Sequence, residues 1–208
     1  MTDREFVLAP PTAVVKVQIV LDPVYSALNS FALLATHEAR SGLGEWITRT
    51  AALLPPDLMY RHRLIFQTEL YNACELKADY PSFPAYLDAL AARDPYQVYS
   101  EVFDWLYDEE HAWLNPPDRA TLLKDKTAYL AVFERLLTKK LEDKPEEKDD
   151  MALLLRLLDE AYDLLQDPPA AQKLVVNHLR QMWNDWLAPE WARVLPMLQE
   201  SADAFRQL

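Results

Sequence analysis

From Val24 to the end of the chain, apolar residues return every three or four positions, the spacing that lines one face of an α-helix. Val24, Leu28, Phe31 and Leu34 mark a first helix, Leu43 to Leu54 a second, and Pro56 to Cys74 a third with Arg61, His62, Arg63 and Glu69 on its other sides. A short helix follows over Ser82 to Arg93. Tyr99, Val102, Phe103 and Leu106 then share a face of a longer one from Pro95 to Trp113, and Leu122, Tyr129, Leu130, Phe133, Leu136 and Leu137 a face of Asp118 to Leu141. Met151 to Leu165 is apolar nearly all round, so it needs cover on several sides. Pro169 to Leu187 and Pro189 to Leu208 complete the series. The last helix carries Trp191, Val194, Leu195, Leu198, Ala202, Phe205 and Leu208 to the terminal residue with no stop signal behind them.

Only one stretch has the period of a strand. In Val14 to Leu21, the residues Val15, Val17, Ile19 and Leu21 alternate with Lys16 and Gln18. With no second strand to pair with, it is expected to join its own copy in a homodimer or a segment outside the chain, or else to pack as an extended arm. The pattern predicts an arm over residues 1–22 with its strand at 13–21, and a single helical domain over 23–208. The fold class is all-α, an orthogonal bundle of about eight or nine helices with one N-terminal β-strand.

Proline and glycine usage sharpens the boundaries. Asp22-Pro23, Pro55-Pro56, Asp94-Pro95, Pro116-Pro117-Asp118, Lys144-Pro145 and Asp167-Pro168-Pro169 stand where helices begin, because proline at the first helical position loses no hydrogen bond and aspartate caps the free amides. Gly42 and Gly44 are the only glycines in 208 residues, which excludes glycine-rich phosphate loops. Glu142 to Asp150 is the most hydrophilic segment and reads as a solvated loop between helices.

A formal charge of −12 argues against this chain as the surface that grips nucleic acid, since phosphate contacts need a basic footprint. The lone Cys74 permits no internal disulfide and, falling in register with Tyr60, Leu64 and Tyr71, reads as a buried thiol. Lys16 and Gln18 interrupt the N-terminal apolar run, and no stretch reaches the roughly 20 apolar residues of a membrane span, so the expectation is a cytoplasmic chain without membrane contact.

Catalytic chemistry finds little support. Asp108-Glu109-Glu110-His111 offers one carboxylate–histidine pair where a di-metal bundle uses two. His37-Glu38 lacks the second histidine of a zinc-protease helix. His178, among Val175, Val176 and Leu179, reads as a hydrogen-bonded structural histidine. The expectation is a protein that is not an enzyme and uses no metal or cofactor.

Two local patterns stand out. One is Leu28-Asn29-Ser30-Phe31 followed by Ser41-Gly42-Leu43-Gly44-Glu45-Trp46-Ile47-Thr48-Arg49-Thr50-Ala51 and Leu54-Pro55; the other is Pro81-Ser82-Phe83-Pro84-Ala85-Tyr86-Leu87 with, far downstream, Trp183, Trp186, Pro189 and Trp191. Together they resemble the long N-terminal helical region of bacterial ArsR-like transcriptional regulators, in which such a region precedes a winged helix-turn-helix. The resemblance covers essentially the whole chain. It implies a regulatory and dimerisation domain, bound to DNA only through a C-terminal domain that this sequence does not contain. Residues 173–208 balance Lys173, Arg180, Arg193 and Arg206 against Asp185, Glu190, Glu200 and Asp203, so they hold no basic reader.

A regulator of this kind needs somewhere to sense a small-molecule effector. Trp46 and Arg49 on one short helix, Arg63 and Tyr71 on the next, and Trp183 and Trp186 near the end are the candidates to wall an apolar cleft with a guanidinium that pairs an anion. The competing reading makes the tryptophans core. Two other functions stay open, a stand-alone helical interaction module and a small helical enzyme.

Overall fold

A computed structural model describes residues 21–39, 42–76, 78–143 and 151–206. Among them the chain is all helical, with no strand. The predicted strand residues Val15, Val17 and Ile19 lie outside the described residues; Leu21 is in irregular backbone just before the first helix.

Ten α-helices are formed among the described residues: α1 Pro23–Ala35, α2 Glu45–Leu53, α3 Pro56–Phe66, α4 Phe83–Ala92, α5 Pro95–Glu101, α6 Arg119–Lys124, α7 Lys126–Asp143, α8 Met151–Leu165, α9 Pro168–Met182 and α10 Ala188–Arg206. The aspartates before four of them act as read from the sequence. Asp22 accepts from the amides of Val24 and Tyr25, each at 2.9 Å, Asp94 from Tyr96 at 3.0 Å, and Asp118 and Asp167 from Thr121 and Ala170, each at 3.1 Å. Each such bond satisfies an amide that the first turn leaves unpaired. Gly42, with φ of 72°, takes the left-handed turn ahead of α2.

Three expected helices are shorter than their apolar pattern. The third ends at Phe66, and a 3-10 segment Glu69–Cys74 follows, because the Thr68 hydroxyl donates to the Leu64 carbonyl at 2.6 Å and accepts from the Leu70 amide at 3.4 Å. The helix expected over Pro95 to Trp113 becomes α5 and two 3-10 turns, Asp104–Tyr107 and Glu109–Leu114. An unbroken helix would carry Asp108, Glu109 and Glu110 in its last turns, at the negative end of its dipole; a fresh start at Asp108 places both glutamates in a first turn, where negative charge is stabilised. Asp125 divides the next helix into α6 and α7 by capping Thr127 and Ala128 at 2.9 and 3.1 Å.

The expected break between the last two helices is instead a continuous run. α9 passes into α10 through a π-helical turn, Trp183–Leu187, in which the Ala188 amide donates to the Trp183 carbonyl five residues back. Pro189 has no amide to donate and crowds the carbonyl four residues before it, so a widened turn ahead of it relieves both problems.

These helices build two apolar lobes. The first gathers α1, α2, α4, most of the buried face of α9 and the π turn around Phe31, Phe83, Leu87, Leu179 and Trp183. The second gathers α5 to α8 around Phe103, Leu106, Tyr129, Leu157 and Ala161. α3 and α9 belong to both, since Ile65 and Val175 lie in the first lobe and Leu64 and Ala171 in the second. Tyr86 donates its hydroxyl to the Cys74 carbonyl at 2.8 Å, and burial pushes the Cys74 thiol up to about 12, which makes it a poor nucleophile.

Within the first lobe a histidine pair ties three helices. His62 Nε2 lies 2.8 Å from the Phe31 carbonyl, and His62 Nδ1 lies 2.9 Å from His178 Nε2. A carbonyl only accepts, so His62 carries its proton on Nε2 and His178 donates from Nε2 to the bare His62 Nδ1. Burial lowers both, to about 4 for His62 and about 3 for His178, and the pair is neutral near pH 7. His178 thus has the hydrogen-bonded structural place expected of it. His62, expected on a charged side of α3, is fully buried.

Candidate functional site

The six residues expected to wall one cleft are distributed over three places. Trp46, Trp183 and Trp186 pack in the first lobe: the Trp46 indole donates to the Trp186 carbonyl at 3.0 Å, and Trp183 lies 5.0 Å from the Phe83 ring. They fill space there, and the clefts described below are lined by other residues. Arg49 is on the surface, 3.5 Å from Glu45 and 3.4 Å from Glu190, which Arg193 also holds. Arg63 and Tyr71 border two adjoining recesses elsewhere.

The first of these recesses is the candidate site. It is a cleft of about 410 Å3 between the lobes, within the range of about 300–1,000 Å3 typical of small-molecule pockets. The end of α1 supplies Ala35 and Thr36, and Glu38 follows them. α3 supplies Arg63 and Phe66, the 3-10 segment Glu69 and Asn72, and the turn after α5 Trp105. Phe133 and Leu137 from α7 and Leu154 and Leu158 from α8 form the apolar wall. Neither lobe makes this surface alone. It exists because α3 turns one side to each.

Polar groups in the wall are incompletely satisfied. Glu69 is fully buried; the Tyr129 hydroxyl donates to its Oε1 at 2.5 Å, while Oε2 has no hydrogen-bond partner. Burial is the main cause that raises this carboxyl from 4.5 to about 7, against the lowering effect of the Tyr129 hydrogen bond. Arg63 pairs with Glu38 at 2.5 Å but its Nε is buried without a partner, and so is the indole nitrogen of Trp105. Unmet groups of this kind are rare in folded proteins and carry a desolvation penalty of about 1–3 kcal/mol each. All three belong to residues that line this cleft, while the other unpartnered buried atoms among the described residues, on Tyr99, His111, Arg119 and His178, lie outside its wall.

The second recess, about 500 Å3, shares Asn72 and Trp105 with the first. Tyr25, Tyr71, Glu75, Glu101, Asp104 and Asp108 border it. Tyr71 stacks 5.1 Å from Phe66, so an aromatic partition of Phe66, Tyr71 and Trp105 stands between the two spaces.

The sequence pattern missed Glu69 and His62 as interior residues, yet it held a signal for both. Leu58, His62 and Phe66 are spaced by four on α3, as are Ile65 and Glu69, so each polar residue falls on an apolar stripe. Phe133 was visible only on the apolar face of its helix, and Trp105 was not singled out at all. Among the described residues no three His, Cys, Asp or Glu side chains gather as a metal site, and no helix is long and apolar enough to cross a membrane. No family model, curated protein or solved structure matches this chain.

Proposed function

We propose that this chain is an effector-sensing helical domain of a transcriptional regulator, which binds a small molecule in the cleft between its lobes and contacts no DNA itself. The observation that carries the sensing part is the convergence of unpartnered Glu69 Oε2, Arg63 Nε and Trp105 Nε1 on residues of one apolar cleft. A molecule that meets these groups gives them hydrogen bonds that no residue of the chain supplies. Because the walls come from both lobes, such a ligand favours the arrangement that closes around it, and that preference is what a sensor transmits. The formal charge of −12 supports leaving DNA to another domain. The regulatory context itself rests on the likeness to ArsR-like regulators.

Thermal-shift screening of amphipathic compounds, followed by calorimetry, tests the cleft. Leu154→Trp fills it from a half-buried wall position and is expected to abolish binding without unfolding the chain. Equal binding by L154W and the wild type would remove the cleft as the site. Fluorescence anisotropy with duplex DNA is expected to show no retention at physiological salt.

A second reading, a helical interaction module, is favoured by α10, where Met197 and Phe205 are 63% and 61% exposed. Light scattering checks it: a concentration-dependent mass that Phe205→Glu reduces to that of the monomer supports self-association through α10.

A further inference from the structure

The charges bordering the cleft decide which class of ligand it takes. Arg63 and Glu38 already neutralise one another at 2.5 Å, so an entering anion must displace a bound carboxylate. What remains is the Glu69 carboxyl, with one oxygen held by Tyr129 and the other unpartnered. The last residues of α1 and α3, Ala35 and Phe66, also reach the cleft and bring the negative ends of two helices to it. Across the shared Trp105, the neighbouring recess adds four carboxylates and no lysine or arginine among its lining residues, although Arg93 lies 3.7 Å from Glu101 and Arg119 is paired with Asp104. Phe66, Trp105 and Phe133 supply aromatic faces, whose quadrupoles attract cations.

Resting on the sensing role proposed above, we infer that the effector is an amphipathic organic cation, a primary ammonium or amidinium on an apolar body, with its charge at Glu69 and its body along Phe133, Leu137, Leu154 and Leu158. A cation beside Glu69 draws the buried carboxyl into its ionised form and supplies donors to the one oxygen that has none. That oxygen is buried, so side chains at the wall shift as the ligand enters.

Three probes of one shape separate charge from fit: 2-naphthylmethylammonium, 2-naphthalenemethanol and 2-naphthoate, titrated calorimetrically into the wild type, Glu69→Gln and Leu154→Trp. The ammonium is expected to bind at least about tenfold tighter than the alcohol, with the carboxylate weakest. E69Q should lower ammonium affinity by about tenfold and leave the alcohol unchanged, while L154W abolishes all three. Alcohol or carboxylate binding as tight as the ammonium's, lost in L154W, would overturn the cation while the cleft stands. Ammonium binding that E69Q does not change would overturn Glu69 as its partner. If no probe binds while the thermal-shift screen yields another compound that L154W rejects, the cation is overturned and the cleft stands; if the screen also yields none, the cleft falls. Circular dichroism establishes that each variant is folded, and should E69Q unfold, the order of the probes on the wild type decides.

Discussion

At the scale of single residues, the interior holds titratable groups that oppose one another. His62 and His178 have folded-state values of about 4 and about 3 against an ordinary 6.5, so below pH 6.5 the unfolded chain binds more protons than the folded one. Their contribution to stability is complete above about pH 6.5 and is lost as pH falls toward those lower values. Glu69 runs the other way. Its folded value of about 7 exceeds 4.5, so between those values the folded chain holds the extra proton and stability falls as pH rises. Urea denaturation of the wild type at steps between pH 4.5 and 6.5 should therefore show the two effects partly cancelling, and E69Q should steepen the gain in stability with rising pH. An unchanged slope in E69Q would mean that Glu69 titrates normally in the folded chain. Tyr129→Phe tests the same carboxyl from its partner: it removes the hydroxyl 2.5 Å from Oε1 and is expected to destabilise by about 1–3 kcal/mol. Because that hydrogen bond lowers the carboxyl's pKa, carbon NMR of the Glu69 carboxyl in Y129F should show it titrating higher still.

At the scale of elements, helix positions were legible in the sequence wherever a cap and an apolar stripe agree. Asp22-Pro23 and α1, Ser82 and α4, and Asp167-Pro168 and α9 are examples. Helices were misjudged where a side chain outcompetes the stripe. Thr68 and Asp125 lie inside apolar periodicity, but each bonds a nearby amide and ends the preceding helix, an outcome set by local geometry that hydrophobic spacing does not encode. Asp125→Ala should then destabilise by about 0.5–2 kcal/mol in urea denaturation, the range for losing an N-cap. The π turn shows the opposite case. Pro189 was read as the start of a separate last helix, whereas the proline is absorbed by a widened turn and the Trp186 carbonyl accepts from Trp46 on α2. Trp46→Phe keeps most of the aromatic packing and loses that bond, so its expected effect is about 1 kcal/mol, read from the same denaturation curves.

At the scale of the whole molecule, the site was the least legible part, for a physical reason. Trp46, Trp183 and Trp186 are large, close in pattern and near helix ends, but those properties suit a core as well as a pocket, and here they complete the first lobe. The cleft arises from α1, α3, α7 and α8 meeting across long sequence distances, and no periodicity within one helix reports where two lobes leave a gap. The joining of the lobes leads to a further prediction. Leu64 and Ile65 are neighbours on α3 yet lie in different lobes, and α9 divides Ala171 from Val175 in the same way. Neither lobe can lose its packing without exposing the opposite face of a helix that the other needs, so the described domain should unfold as one unit. With Trp105 and Trp113 replaced by Phe, the remaining Trp46, Trp183, Trp186 and Trp191 report on the first lobe by fluorescence, while far-UV circular dichroism reports on all helices. Ile65→Ala in the first lobe and Leu157→Ala in the second each truncate a fully buried side chain and should destabilise by about 2–5 kcal/mol. In both variants the two signals should move together to the same lower midpoint. If L157A instead shifts the dichroism and leaves the tryptophan transition in place, the lobes unfold separately, and a ligand held between them would have to bring them together rather than tighten a domain already formed.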